Sequence, residues 1–97
     1  MSAYRLTREP RKDLVSIWAF IGADNEGAAE HFVGSLVETF ETLAQHPRMG
    51  RSREDLCRHC RSFVVGPYVI VYRVGTAGVR ILRAVQGMQD LPRLFPA

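Results

Sequence analysis

The spacing of apolar residues changes once along the chain, and the change separates a helical half from a strand half. Leu14, Ile17, Trp18 and Ile21 recur at i, i+3, i+4 and i+7, one face of a helix ending near Gly22. Thr7 stands where a cap would, and Pro10 fits the first turn, whose N–H groups have no intrahelical partner. Asp24-Asn25 supplies a turn and a second cap. Ala29, Phe32, Val33, Leu36, Val37, Phe40, Leu43 and Ala44 then keep helical spacing, with Glu30, Glu38 and Glu41 outside the stripe. The short connection between the two predicts an antiparallel helical hairpin. Ala3 to Thr7 alternates and predicts a first strand. Pro47 and Gly50 stop the second helix, and His46 to Cys60 reads as a loop or one irregular turn.

Beyond that loop the period is two. Arg61 to Val65, Tyr68 to Val74 and Val79 to Val85 are rich in Val, Ile, Tyr and Phe, and Gly66-Pro67 and Gly75 to Gly78 separate them. The order β-α-α-β-β-β predicts an α+β fold, with the helical hairpin packed on one face of a small, mainly antiparallel sheet. A turn at Gly75 to Gly78 pairs Val74 with Val79, which sets Arg73 opposite Arg80 and Val71 opposite Leu82. One face then carries Tyr68, Ile70, Tyr72, Val74, Val79, Ile81, Arg83 and Val85. The other carries Val69, Val71, Arg73, Arg80, Leu82 and Ala84. Both faces are apolar enough to require cover, and one helical hairpin covers one of them. A protein partner is therefore expected on the other. Arg73 opposite Arg80 is a like-charge pair, unfavourable unless an acidic group or phosphate lies between them or both side chains splay into solvent.

Composition narrows the class. A chain of 97 residues is one domain, 1–97, with a thin stability margin that a partner would widen. Hydrophobic residues at 46% and charged ones at 24% exclude a disordered tail or a collagen-like chain. The longest apolar run, Tyr68 to Tyr72, is too short to cross a bilayer, and Tyr4 to Asp13 is too mixed in charge to be a leader. A cytoplasmic protein is expected. The formal charge of +3 hides an asymmetry. Met1 to Gln45 holds Arg5, Arg8, Arg11 and Lys12 against seven acidic residues, whereas His46 to Ala97 holds nine Arg against Glu54, Asp55 and Asp90. The second half is thus the anion-seeking half, and its guanidinium forks suit two-point contacts with carboxylates and phosphates.

Little else carries chemistry. Cys57-Arg58-His59-Cys60 has the C-x-x-C spacing, but a structural zinc site needs a second pair, and a redox motif belongs at a helix start after a strand. Two reduced thiols are expected instead. His46 follows the long helix as a C-terminal cap, and Trp18 is expected in the core. Gly-rich phosphate loops, paired carboxylates, Ser/His/Asp sets and H-x-x-x-H pairs are missing, so neither catalytic residue, metal nor cofactor is assigned.

Several strings in order carry a resemblance. Leu6-Thr7, Asp13-Leu14 with Ile17-Trp18, Leu43 through Arg51 around His46-Pro47-Arg48-Met49-Gly50, Arg61-Ser62-Phe63 with Val65-Gly66, Tyr68 through Val74, and Ile81-Leu82-Arg83 with Gly87 and Asp90 resemble the ParE branch of the ParE/RelE toxin superfamily. The resemblance spans about Tyr4 to Phe95. It implies a type II toxin partnered by a ParD-like antitoxin whose C-terminal segment wraps it. ParE-like members poison DNA gyrase; RelE-like members cut messenger RNA on the ribosome. In-line attack by a ribose hydroxyl needs a base and cations. Gln86 stands where many relatives have His, and Gln89 lies near where they have Arg, so RNA cleavage is the alternative reading. A decayed toxin that retains only antitoxin binding is a further one. Arg61, Arg73, Arg80, Arg83 and Arg93 are the candidate target-binding residues, and Val69, Val71 and Leu82 the candidate antitoxin seat.

Overall fold

A computed structural model describes residues 4–87 and 91–95. The elements are β1 (Tyr4–Leu6), α1 (Arg8–Gly22), α2 (Glu26–Gln45), β2 (Arg51–Ser52), β3 (Cys60–Val65), β4 (Tyr68–Gly75), β5 (Gly78–Gln86) and α3 (Leu91–Leu94). The strands form one sheet in the order β1-β5-β4-β3-β2, antiparallel throughout except that β1 runs parallel to β5. This is the expected α+β architecture, enlarged by a two-residue strand within the segment read as loop. Gln89 and Asp90 lie outside the described residues. Among those that are described, no helix is long and apolar enough to cross a membrane.

The helices form for the reasons their spacing gave. Asn25 caps α2 by accepting a hydrogen bond from the Ala28 N–H (2.9 Å), whereas Thr7 precedes α1 without a side-chain cap. His46 closes α2 through its backbone N–H, which donates to Thr42 O (2.8 Å). Ile17, Leu36, Phe40 and Leu43 bury themselves against Tyr68, Ile70, Tyr72, Val79, Ile81 and Ala84. Trp18 departs from expectation: it is 37% exposed at the margin of α1, because Ile17 and Pro10 take the buried face.

Two expectations about the sheet are corrected. The predicted register holds for Val74↔Val79, Arg73↔Arg80 and Tyr72↔Ile81, and then a bulge inserts Leu82, so that Val71 pairs with Arg83 and Ile70 with Ala84. A bulge moves later residues by one place and exchanges their faces. Ala84 accordingly joins the helix-side core, and Val85 joins the opposite face.

The second correction is that this opposite face is not open. Val69 and Val71 are 2% and 0% exposed, and with Leu56, Cys60 and Leu91 they form a second core against which Leu82, Val85, Leu94 and Phe95 pack. The segment before β3 and the C-terminal turn roof the sheet from within the same chain. Cys57 and Cys60, expected as free thiols, are joined in a disulfide; the turn after Leu56 brings their Cα atoms to 5.3 Å, within the usual bridging range.

Candidate functional site

The clearest concentration of unsatisfied charge lies where the β4–β5 hairpin turns. Register alone builds it. Arg80 on β5 is opposite Arg73 on β4 and, across the other edge, opposite Arg5 on β1, so three arginines lie side by side on three adjacent strands. Residues directly opposite share a face. All three side chains are exposed, and among the described residues none is held by a carboxylate. With His59, Val74, Val79 and the Gly75–Gly78 turn they line a concavity of about 320 Å³, with no acidic residue among the described ones that bound it.

His59 enters this site through its backbone. Its φ of +63° is the only positive value among the described non-glycine residues. The Glu54 carboxylate accepts its N–H (2.9 Å), while its carbonyl accepts from Val74 N–H (3.1 Å). The left-handed turn is therefore held at both ends, and one of those ends is β4 itself. Such a conformation is uncommon for a residue with a side chain and persists where surrounding bonds fix it.

The five arginines singled out in the sequence separate into three groups. Arg73 and Arg80 stand together in the row. Arg61 is turned the other way: its guanidinium donates to Gly50 O (2.6 Å) and Arg48 O (3.4 Å), which fastens the loop after α2 to β3. In the same place the Tyr72 hydroxyl donates to Pro47 O (2.7 Å) and accepts from Gly50 N–H (2.9 Å); burial pushes its pKa up, against the opposing effects of that N–H and of Arg61. Arg83 is engaged by Asp13 of α1 in a two-point ion pair, Nε at 2.8 Å and Nη2 at 2.9 Å, and the same carboxylate accepts from Ala84 N–H (2.9 Å). Hydrogen bonding to Asp13 raises the Arg83 pKa, outweighing desolvation. Arg93 is exposed on α3.

Arg5 and His59 also line the site, although neither is one of the five candidate target-binding arginines. Arg5 is distant in sequence and reaches Arg80 only because β1 inserts parallel beside β5; alternation within Ala3 to Thr7 announces a strand but not its neighbour. Of the expected antitoxin seat, Val69, Val71 and Leu82, the two valines are buried in the second core and Leu82 packs half-buried against it. Exposed apolar groups occur on α1 instead, where Val15 and Phe20 are each 69% exposed. Phe20 flanks a groove with Asp13, Ser16, Tyr68, Val85 and Gln86. Among the described residues, no group of three or more His, Cys, Asp or Glu is arranged to hold a metal.

Comparison with known proteins places these features in a context. Residues 4–91 match the model of a family described as the ParE toxin of the type II toxin–antitoxin system parDE. The chain is 37% identical over 87 residues to toxin ParE1 of Caulobacter vibrioides, covering 88% of each chain. To toxin ParE3 of the same organism it is 32% identical over 87 residues, covering 88% of this chain and 86% of the relative. A solved structure of the chromosomal ParDE TA system from P. aeruginosa superposes with a TM-score of 0.75 at 23% identity, over 91% of this chain and 98% of the other, which establishes a shared fold.

Proposed function

The chain belongs to the ParE toxin family of type II toxin–antitoxin systems, and from that premise we propose that it acts in the cytoplasm as a non-catalytic inhibitor of DNA gyrase, neutralised by a cognate ParD-like antitoxin. The observation that carries the proposal is the row Arg5–Arg80–Arg73. Like charges opposite one another on a sheet are unfavourable, so an exposed row without carboxylates suits an anionic partner, as a gyrase–DNA complex would be. Strands hold the row rigidly, which favours grip over turnover. Arg61 and Arg83 support this surface by fixing β3 and the β5 bulge, and Arg93 assists from α3. The antitoxin, in this reading, covers the row and seats its apolar side chains over Val15 and Phe20 of α1.

The direct test is incubation of the purified chain with gyrase and supercoiled plasmid. Loss of supercoiling activity or an increased yield of cleaved DNA is expected; no change in either at micromolar chain would refute the gyrase assignment. Co-expression with the neighbouring antitoxin should abolish the effect, and Phe20→Ser should weaken the complex.

One observation favours a second reading, ribosome-dependent cleavage of messenger RNA: His59 lines the same concavity as Arg73 and Arg80, which brings an imidazole to the phosphate-binding row. Primer extension on a translated message after induction separates the two. Cuts within codons that disappear in His59→Ala would support cleavage, and intact messages accompanied by growth arrest would support gyrase.

A further inference from the structure

We propose that the Arg5–Arg80–Arg73 row is a binding site for the phosphodiester backbone of duplex DNA and that this chain contacts DNA directly, without gyrase. The inference rests on the proposed reading for the location of the site and deepens it by naming what the site holds.

Geometry supplies the first argument. Adjacent strands lie about 4.8 Å apart, so three arginines in register across β1, β5 and β4 span roughly 10 Å. Successive phosphates of one DNA strand advance about 3.4 Å along the axis but lie about 7 Å apart in space, so a row of this length, carried on long side chains, meets about two or three phosphates. A single carboxylate or phosphate would satisfy one guanidinium, or two at most, and leave the remainder of the row repelling itself. A linear polyanion satisfies all three together.

The character of the walls supplies the second argument. The concavity is bounded by Val74, Gly75, Thr76, Ala77, Gly78 and Val79, small residues at a hairpin tip that let a bulky backbone approach closely. Gly75 and Gly78 pair with one another across the turn, and Gly78 has a φ of +121° that residues with side chains rarely adopt. Among the described residues, no Phe, Tyr or Trp lines the site. Proteins that hold single strands rely on aromatic platforms for unstacked bases, whereas duplex DNA presents stacked bases and an outer rail of phosphate. Contacts to phosphate carry no base information, so binding without sequence preference is expected. Acidic peptide is the less favoured occupant because the site offers no deep apolar pocket to anchor its neighbouring side chains.

The test uses the purified full chain, without gyrase, and a short fluorescein-labelled DNA duplex followed by anisotropy across a series of salt concentrations. Binding should weaken steeply with salt. Removing the row in Arg5→Ala/Arg73→Ala/Arg80→Ala should lower the slope of log K against log salt by about 2 to 3 and weaken binding by more than about tenfold. The charge-matched control Arg8→Ala/Lys12→Ala/Arg51→Ala, whose residues lie on α1 and β2, should leave most of both. Equal losses in the two triple variants would overturn the proposal in favour of diffuse attraction. Tighter binding of poly-glutamate, or of single-stranded RNA, than of the duplex would overturn it in favour of those partners.

Because multiple substitutions can disturb folding, Arg80→Glu provides an independent reading. It places a carboxylate between Arg5 and Arg73, and should raise the melting temperature while abolishing duplex binding; a lowered melting temperature, or retained binding, would count against the row. Gyrase is absent from every arm. Failure here with a positive plasmid assay would therefore remove DNA contact and leave gyrase inhibition standing.

Discussion

Asp13 ties the helical hairpin to the sheet through its ion pair with Arg83, and replacing it tests whether Arg83 is structural or recognitional. The Asp13 side chain is 11% exposed and that of Arg83 is 24% exposed. Asp13→Ala removes three accepted hydrogen bonds and leaves both a half-buried guanidinium and the Ala84 N–H without a partner. Breaking a fully buried pair destabilises by about 3 to 5 kcal/mol. Water still reaches part of Arg83, so the loss should be closer to about 2 kcal/mol. For a chain of this size that is a fall in melting temperature of about 8 to 16 °C. Arg83→Ala should show a similar loss, since it leaves Asp13 half-buried with only the Ala84 N–H. The double variant should be scarcely worse than either single one, giving a coupling of about 1 to 2 kcal/mol in urea unfolding at unchanged m-value. Single losses that add to within about 0.5 kcal/mol would show that the pair is not coupled and refute the clamp. An Arg83→Ala chain of full stability that no longer arrests growth would return Arg83 to the recognition surface.

Other positions yield sharper local outcomes. Gly50→Ala would drive a Cβ into the Tyr72 hydroxyl and to 2.8 Å from Ser62 O, so a loss of about 2 kcal/mol or more is expected in thermal melts, and an unchanged melt would contradict the packing described. Tyr72→Phe should destabilise by about 1 to 3 kcal/mol by stranding the Gly50 N–H. Burial raises the Tyr72 pKa, so above about pH 10 the unfolded chain loses the phenol proton while the native state retains it; the unfolded state then binds fewer protons, stability falls with rising pH, and Tyr72→Phe should lack that component of the slope. Leu91→Ala, which removes a fully buried side chain from the second core, should destabilise by about 2 to 4 kcal/mol and increase binding of a hydrophobic dye. A melt like the parent's would mean that α3 does not roof the sheet.

Local periodicity made the helices and the three long strands legible, because apolar spacing reports directly which face is buried. Arg73 opposite Arg80 was legible too, since a two-residue tip between glycines leaves little choice of register. What escaped depended on contacts distant in sequence. Nothing within Tyr4 to Leu6 specifies that it pairs parallel with Val79 to Ile81, yet that pairing completes the arginine row. The bulge at Leu82 breaks alternation by one residue, too small a disturbance to see in a run where both faces are apolar. Leu56, Cys60 and Leu91 come from segments without periodicity, so their joint role as a roof appears only once they are folded onto Val69 and Val71. The open sheet face inferred from one helical hairpin failed for that reason.

The central strand is buried at five consecutive positions, Tyr68 to Tyr72, without a charge among them. Such a segment is hazardous to an unfolded chain: until β5 and α3 dock, both greasy sides are bare and its edge is ready to pair with a copy of itself. Pro67 before it and Arg73 after it act as gatekeepers that discourage stacking beyond those limits. Early overproduction should thus fail by aggregation rather than by slow unfolding, and the docking of β5 and α3 ends the danger.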